Sequence, residues 1–206
     1  MDKPWISIWF QTRDTIRETQ QETSTGTKIL LVALFGLAFG YDTASSQSLG
    51  DKYSFGLIAV GSPLMGILNA FIHWFVISWL AYWIGSRWFH GDGDWEESRT
   101  AMAWAGIPFI AKLILWIPQL FLFRLDNFTT DSPLLDTSVG LSVLFWVFGL
   151  IDLILTIWYF VILSKSIGEV HGVSSTLAFG IVLLSYVAMV LVLVLTSFIA
   201  FALLMG

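Results

Sequence analysis

The residues of this chain that could do chemistry are ionisable side chains inside apolar segments. Lys112 lies 11 residues after Ala101, where one apolar segment begins, and Asp152 lies 11 residues before Leu163, where another ends. At the rise of an α-helix, both would lie roughly 17 Å from the same ends of antiparallel helices, and therefore level. Adding the groups expected at similar depth gives a predicted intramembrane polar cluster of Lys112, Asp152, His73, Tyr186 and Asp42.

Two interpretations of this cluster remain open. In the structural one, Lys112 and Asp152 form a buried ion pair that fixes helix pairing, and His73 and Tyr186 complete its hydrogen bonds. In the functional one, the same groups line a polar route for a proton, an ion or a lipid headgroup, because ionisable groups in a membrane usually face a partner or water. We favour the structural interpretation, since few other polar residues accompany the cluster. A cavity open to water that reaches Lys112 and Asp152 would favour the functional one.

The motifs of soluble enzymes are missing from the sequence. There is no Walker loop, no His-Glu-x-x-His, no Gly-x-Ser-x-Gly and no dinucleotide fingerprint. The chain has no cysteine, which excludes thiol catalysis and cysteine-ligated metals. Asp92 and Asp94 fit a turn and a helix cap better than a calcium loop. We therefore expect no enzymatic activity, no metal, no cofactor and, without a basic tract, no nucleic-acid partner.

The composition of the chain indicates that these residues are carried by membrane helices. Of the 206 residues, 56% are hydrophobic and 12% are charged, and the mean hydropathy is +0.78. Soluble domains carry roughly 25% charged residues. Charge-free apolar stretches of about 20 residues recur, which is the length that a helix needs to cross a bilayer. We predict an all-α, polytopic membrane protein with five transmembrane helices.

Local helix signals predict where these spans begin and end. Pro63 fits the first turn of a helix, so the second span is expected to begin there, after a short outer segment. Asp94 and Glu97 form a capping-box pattern before the third span, which Pro108 and Pro118 are expected to interrupt. The predicted spans are about 28–42, 63–86, 101–123, 140–163 and 176–204, within a transmembrane domain of residues 28–206.

Residues 1–27 form the only sizeable polar segment of the sequence. Trp5, Ile8, Trp9 and Ile16 can share one face of a helix, while the charged residues lie elsewhere. This pattern is typical of a helix that rests on a membrane surface. We predict an N-terminal interfacial amphipathic helix on the cytoplasmic side.

The distribution of basic residues predicts the orientation of the chain. With the N-terminus inside, Lys52 and Arg124 are the two basic residues of the outer segments, and Lys112 lies in a span. The positive-inside rule then favours a cytoplasmic N-terminus and an external C-terminal Gly206, in a multi-pass protein of the cell membrane. The inner segments hold Lys3, Arg13, Arg17, Lys28, Arg87, Arg99 and Lys165.

Several motifs, in order and spacing, resemble the Yip domain family, membrane proteins named in eukaryotes as Ypt/Rab-interacting proteins and widespread in bacteria. The resemblance covers nearly the whole chain. The motifs are Pro4-Trp5-Ile6-Ser7-Ile8-Trp9 with Arg13-Asp14-Thr15-Ile16-Arg17, then Gly61-Ser62-Pro63, Ala103-Trp104-Ala105-Gly106-Ile107-Pro108, and Trp158 followed by Lys165, Gly168-Glu169-Val170 and Gly172-Val173-Ser174.

The resemblance implies five spans, a cytoplasmic N-terminus and an external C-terminus. The Asp-Leu-Tyr-Gly-Pro signature of eukaryotic members is absent, so the chain resembles the bacterial branch, and binding to a Rab GTPase is doubtful. The family-motif residues that would meet at the cytoplasmic surface are Trp5, Trp9, Arg13, Arg17, Trp104, Pro108, Lys165 and Glu169.

These observations lead to two alternative functions. The first is a non-enzymatic accessory or adaptor protein of the cytoplasmic membrane that contacts lipids and binds another membrane protein, or itself as a homo-oligomer. Bacterial relatives imply an export system as one such partner. The second is a small transporter or lipid-translocating protein that uses the midplane cluster of Lys112, Asp152 and His73.

Overall fold

The computed structural model describes residues 3–205, apart from the side chains of residues 203 and 204, so the predicted external Gly206 lies outside the described residues. Within this part of the chain every regular element is helical, and two short 3-10 turns, Leu49–Asp51 and Arg124–Phe128, join the helices. The α-helices are α1 (Pro4–Ser7), α2 (Thr12–Glu22), α3 (Thr25–Ser46), α4 (Phe55–Trp88), α5 (Trp95–Ala105), α6 (Ile107–Leu122), α7 (Pro133–Asp136), α8 (Val139–Val170) and α9 (Ser175–Met205).

Five helical segments of the described chain are long and apolar enough to cross a membrane. The third of them is α5 followed directly by α6, with a break at Gly106. Pro108 lies in the first turn of α6, where its missing N–H costs no hydrogen bond. The all-α, five-span prediction is confirmed. The five segments are Thr25–Ser46, Phe55–Trp88, Trp95–Leu122, Val139–Val170 and Ser175–Ala202.

The second span differs from its prediction, because α4 begins at Phe55 and continues through Pro63 instead of starting there. A proline inside a helix leaves the carbonyl four residues earlier without its N–H donor. That carbonyl belongs to Ala59, and the Tyr41 hydroxyl donates to it at 2.9 Å. A side chain of α3 therefore replaces the missing hydrogen bond, and the helix continues to Trp88.

The fourth span also extends beyond its prediction. The apolar run ends near Leu163, but α8 continues to Val170. It ends in a Schellman motif: Val173 N–H donates to the Gly168 carbonyl at 3.0 Å, and Gly172 N–H to the Glu169 carbonyl at 3.3 Å. Gly172 has the positive φ of 64° that this motif requires. Hydropathy indicates where the apolar run of the span ends, whereas Gly172 determines where the helix ends.

The N-terminal segment is two helices rather than one. Residues 8–10 form a turn between α1 and α2. Ile8 and Ile16, which were expected to rest on lipid, are both fully buried within the protein. Trp5 is 42% exposed and accepts a 3.1 Å hydrogen bond from the Trp9 indole at its backbone carbonyl. The protein interior thus takes up Ile8 and Ile16, two of the four apolar side chains that the amphipathic pattern assigned to the membrane.

The described chain divides into two compact units. The first comprises residues 3–22, His73–Met102 and residues 163–205; its N-terminal helices contact the turn between α8 and α9. The second comprises Thr23–Ile72 and Ala103–Ile162. Within the second unit, α3 and the first half of α4 touch backbone to backbone, since a methyl group at Gly40 would overlap the Ser62 carbonyl oxygen.

Candidate functional site

The second unit contains a charged triad of one lysine between two aspartates. The Lys112 ammonium donates to Asp42 Oδ2 at 2.6 Å and lies 2.9 Å from Asp152 Oδ1. The Trp116 indole donates to the other Asp42 oxygen at 2.9 Å. Lys112 is 2% exposed and also lies over the Phe109 ring, 4.2 Å from its centroid. A lysine so deeply buried in a membrane protein requires this kind of compensation.

Helical spacing explains how three helices deliver these groups. On α6, Lys112, Trp116 and Gln119 follow at i, i+4 and i+7, which places them on one face. On α8, Asp152 and Thr156 are four residues apart and share a face in the same way. The same spacing on α3 carries Asp42 and Ser46.

A cavity of about 380 Å³ opens onto the triad. Its size lies in the range of small-molecule sites, roughly 300–1,000 Å³. Exposure falls along the triad, from 35% for the Asp152 side chain to 21% for Asp42 and 2% for Lys112. Asp152 is therefore the charged group most open to the cavity. The remaining lining residues are Ser45, Ser46, Phe109, Trp116, Gln119, Asn127, Phe145, Gly149 and Thr156.

The polar lining continues from the triad to the ends of two spans. Asp42 is one helical turn from the end of α3, and Ser45 and Ser46 complete that turn. Asn127 lies in the 3-10 turn that follows α6, and its carbonyl accepts a 2.7 Å hydrogen bond from Ser45. The cavity therefore connects the charged groups within the spans to the loop residues beyond them.

Aromatic side chains enclose the triad on both sides along the helices. Phe35 of α3, Phe109 of α6 and Tyr159 of α8 form one cluster, with ring centroids 4.4 to 5.7 Å apart. Trp116 stacks on Phe128 at 5.7 Å in a second cluster. These rings hold the three helices together without using the charged groups.

Sequence reasoning included Lys112, Asp152 and Asp42 in the cluster but paired Lys112 with Asp152 and not with Asp42. The structure brings these three together and makes Asp42 a full partner. His73 and Tyr186 instead pair with each other in the first unit, with ring centroids 5.4 Å apart. The hydrogen bonds described for Lys112 go to Asp42 and Asp152, not to His73 or Tyr186 as expected.

Sequence reasoning missed the uncharged polar lining of the cavity. The sequence pattern did not single out Trp116, Ser45, Ser46, Gln119 or Asn127. The signal that could have found Trp116 and Gln119 was their spacing of four and seven residues from Lys112, because these residues must share its helix face.

A second polar site lies in the first unit, where α2 meets the turn between α8 and α9. Arg17 contacts the Glu169 carboxylate at 2.7 Å, and Arg13 contacts it at 3.4 Å. Arg13 also donates to the Val173 carbonyl at 2.7 Å. In the same unit, the Gln20 amide donates to the Glu97 carbonyl at 3.0 Å. We call Arg13, Arg17 and Glu169 the N-terminal clamp.

The other family-motif residues support helix ends. The Trp104 indole donates to the Thr23 hydroxyl at 2.8 Å, at the start of the second unit. Pro108 is buried in the first turn of α6, and Lys165 is half-buried near the end of α8. The predicted capping box is confirmed: Glu97 N–H donates to Asp94 at 2.7 Å, and Asp94 N–H donates back to the Glu97 carboxylate at 3.1 Å.

His171, which sequence reasoning did not select, is buried in the first unit just after the end of α8. It is 2% exposed and lies against the backbone of Gly85 and Gly91, where added methyl groups would overlap the imidazole. Burial lowers the pKa of the His171 imidazole. The ring is therefore neutral near pH 7 and acts as packing between the α4–α5 loop and the end of α8.

Comparison with known proteins supports one assignment. The family model of the Yip1 domain matches residues 6–196. No curated protein and no solved structure matches the chain. The family match covers the N-terminal clamp, the triad cavity and all of the spans except the end of the fifth, and it agrees with the motifs of the sequence. The chain is a multi-pass membrane protein that belongs to the Yip1 domain family.

Proposed function

We propose that this chain is a non-enzymatic lipid-translocating protein that admits the charged headgroup of a lipid into the cavity of Asp42, Lys112 and Asp152. The observation that carries this proposal is the cavity itself. A purely structural ion pair needs no space beside it for an occupant, because its charges and hydrogen bonds compensate one another. Here a cavity of about 380 Å³ reaches the pair, and the Asp152 side chain keeps 35% of its surface exposed.

The surroundings of the opening favour a lipid over a water-soluble solute. Asp152 and Gly149 line the cavity from α8, and no residue in the apolar 18-residue window of α8 is buried. Leu150 and Leu153, next to them in sequence, are 59% and 54% exposed. A lipid could therefore place its headgroup in the cavity while its acyl chains stay against apolar side chains.

A dithionite assay tests this function. The full chain is reconstituted into vesicles that contain lipids labelled with nitrobenzoxadiazole (NBD) on an acyl chain, and dithionite bleaches the outer leaflet. Translocation exposes inner-leaflet lipid, so the fluorescence should fall well below the roughly one-half that protein-free vesicles retain. Asp152→Asn should abolish the additional loss.

Asp131→Asn is the matched control, since it removes the same charge from an exposed loop residue outside the cavity. A bleaching plateau equal to that of protein-free vesicles for the wild-type chain would overturn the proposal. Equal activity of Asp152→Asn and the wild-type chain would overturn the role of the cavity.

The N-terminal clamp supports a second candidate function, an adaptor that binds another membrane protein or a second copy of this chain. Arg13 and Arg17 of α2 pair with Glu169 at the end of α8. These ion pairs fix the position of α2, so that α2 presents an ordered surface to a partner. Glu169→Gln should release α2 and abolish co-purification of the partner from native membranes. Glu22→Gln, an exposed change at the end of α2, is the control. Co-purification that is unaffected by Glu169→Gln would count against this surface.

The orientation that accompanies either function is a cytoplasmic N-terminus and an external C-terminus in the cell membrane. The excess of basic residues in the segments assigned to the inside supports it. An adaptor surface would then comprise the clamp together with residues 87–99 and 165–175 on the cytoplasmic side.

A further inference from the structure

The charges that line the cavity do not balance. Asp42 and Asp152 contribute two carboxylates, and Lys112 contributes one ammonium. One negative charge is left over among the cavity-lining residues. In a membrane interior an unbalanced charge is costly, so such a site favours a cationic occupant.

Each donor group of the cavity already makes at least one hydrogen bond. Lys112 donates to both aspartates, and Trp116 donates to Asp42. The Ser45 and Thr156 hydroxyls donate to backbone carbonyls at 2.7 and 2.9 Å. The same holds for the Ser46 hydroxyl and for the Gln119 and Asn127 side-chain amides, which donate to Thr43, Leu115 and Gln119 carbonyls.

The cavity therefore offers an occupant mainly hydrogen-bond acceptors. Both oxygens of Asp42 accept strong bonds. Among the residues that the structure describes, Lys112 is the one partner that both oxygens of Asp152 share, and the Asp152 side chain remains 35% exposed. The Gln119 and Asn127 side-chain oxygens accept no hydrogen bond within the described residues. An anionic group would find few donors here, whereas a group with N–H donors would find several acceptors.

Aromatic rings complete a setting suited to an organic cation. Phe109, Trp116 and Phe145 line the cavity. The Lys112 ammonium already lies 4.2 Å from the Phe109 centroid, which demonstrates that this lining accepts a cation. The volume of about 380 Å³ exceeds what a bare metal ion or a single water requires.

We infer that the cavity binds a primary ammonium group, which pairs with Asp152. This inference rests on the proposed function and specifies its cargo: a lipid with an amine headgroup donates its N–H groups to Asp152 and to the amide oxygens of Gln119 and Asn127 in the same cavity. The ammonium could also come from a free amine in solution, and the two sources are separated below.

Native mass spectrometry of the full chain in detergent tests the lipid source. The protein is given equal amounts of phosphatidylethanolamine, phosphatidylcholine and phosphatidylglycerol with identical acyl chains. Phosphatidylethanolamine should be retained at least about tenfold over the others, the ratio that one hydrogen bond to a charged group sustains. Asp152→Asn should remove this preference, and the loop variant Asp131→Asn should keep it.

The free-amine source is tested by thermal unfolding in detergent with ethanolamine and with choline, which carries the same charge but no N–H donor. Stabilisation by ethanolamine that is lost in Asp152→Asn, without retention of phosphatidylethanolamine, would keep the ammonium site and overturn the lipid as the source of the ammonium group. If the protein preferentially retains phosphatidylglycerol and still lowers the fluorescence plateau in the dithionite assay, the ammonium site is overturned and lipid translocation stands. Equal binding of the N–H and quaternary forms, or binding of neither, would overturn the inference.

Discussion

Among single residues, Lys112 is the group on which the triad depends. The sequence suggested a simple pair of Lys112 and Asp152, in which each charge has one partner. The structure adds Asp42 at 2.6 Å, so the lysine serves two carboxylates and each carboxylate has a different set of partners. Removal of each of the three charges should therefore destabilise the protein by a different amount.

We predict that Lys112→Met destabilises the protein most, because it leaves two carboxylates without their common cation in a low-dielectric interior. The loss should be on the order of 3–5 kcal/mol. Asp152→Asn should cost far less, since the Lys112–Asp42 pair remains intact and neutral. Thermal unfolding in detergent measures both variants. Equal destabilisation by the two would mean that Asp42 does not compensate Lys112.

At the scale of the helices, continuity of α4 depends on one hydrogen bond from another helix. Tyr41→Phe removes the donor to the Ala59 carbonyl and should destabilise the protein by about 1–3 kcal/mol, the cost of an unsatisfied buried polar group. Pro63→Ala restores the backbone N–H that the carbonyl lacks. In the Pro63→Ala background, Tyr41→Phe should therefore cost much less. An equal cost of Tyr41→Phe in both backgrounds, measured by a double-mutant cycle, would contradict this explanation.

The close contact of α3 and α4 gives a second prediction at this scale. Ala normally stabilises a helix by up to about 1 kcal/mol relative to Gly. Gly40→Ala should nevertheless destabilise, because the added methyl would overlap the Ser62 carbonyl. Gly149→Ala on α8 is the control, since nothing lies within 4 Å of its added carbon. Gly40→Ala with unchanged or raised unfolding temperature would show that the two backbones can separate without loss.

A helix could be predicted from the sequence where the length of an apolar stretch or a local capping motif determines it. The five spans and the Asp94–Glu97 capping box are of this kind. The continuity of α4 could not be predicted, because it depends on Tyr41, distant in sequence from Pro63. The docking of Ile8 and Ile16 into the protein could not either, since an amphipathic pattern does not distinguish a lipid surface from a protein surface.

Only part of the site could be predicted from the sequence. Depth along helices was enough to select Lys112, Asp152 and Asp42. Depth does not determine rotation about the helix axis, however, so it grouped His73 and Tyr186 with them, although these two contact each other in the first unit. The cavity was not predictable, because a void depends on how the side chains of three helices fill the space between them.

For the whole molecule, an odd number of spans requires the two ends of the chain to lie on opposite sides of the membrane. We predict that cysteines introduced at Gln21 and Thr176 are shielded from an impermeant thiol reagent in intact cells, whereas one at Asp131 reacts. All three positions are exposed in the structure. Reaction at Thr176 and not at Asp131 would reverse the orientation.

The central claim is that a polar cavity leads from water to Asp152 within the membrane. The chain contains no native cysteine, so a single introduced thiol reports without background. Asp152→Cys keeps the Lys112–Asp42 pair, and Leu153→Cys places a thiol at the same depth on α8, where the native side chain is 54% exposed. In membrane vesicles, a water-soluble thiosulfonate should modify Asp152→Cys and leave Leu153→Cys unmodified, because a thiol in lipid does not ionise. Equal modification of the two, or none of either, would contradict the cavity as a route to the triad.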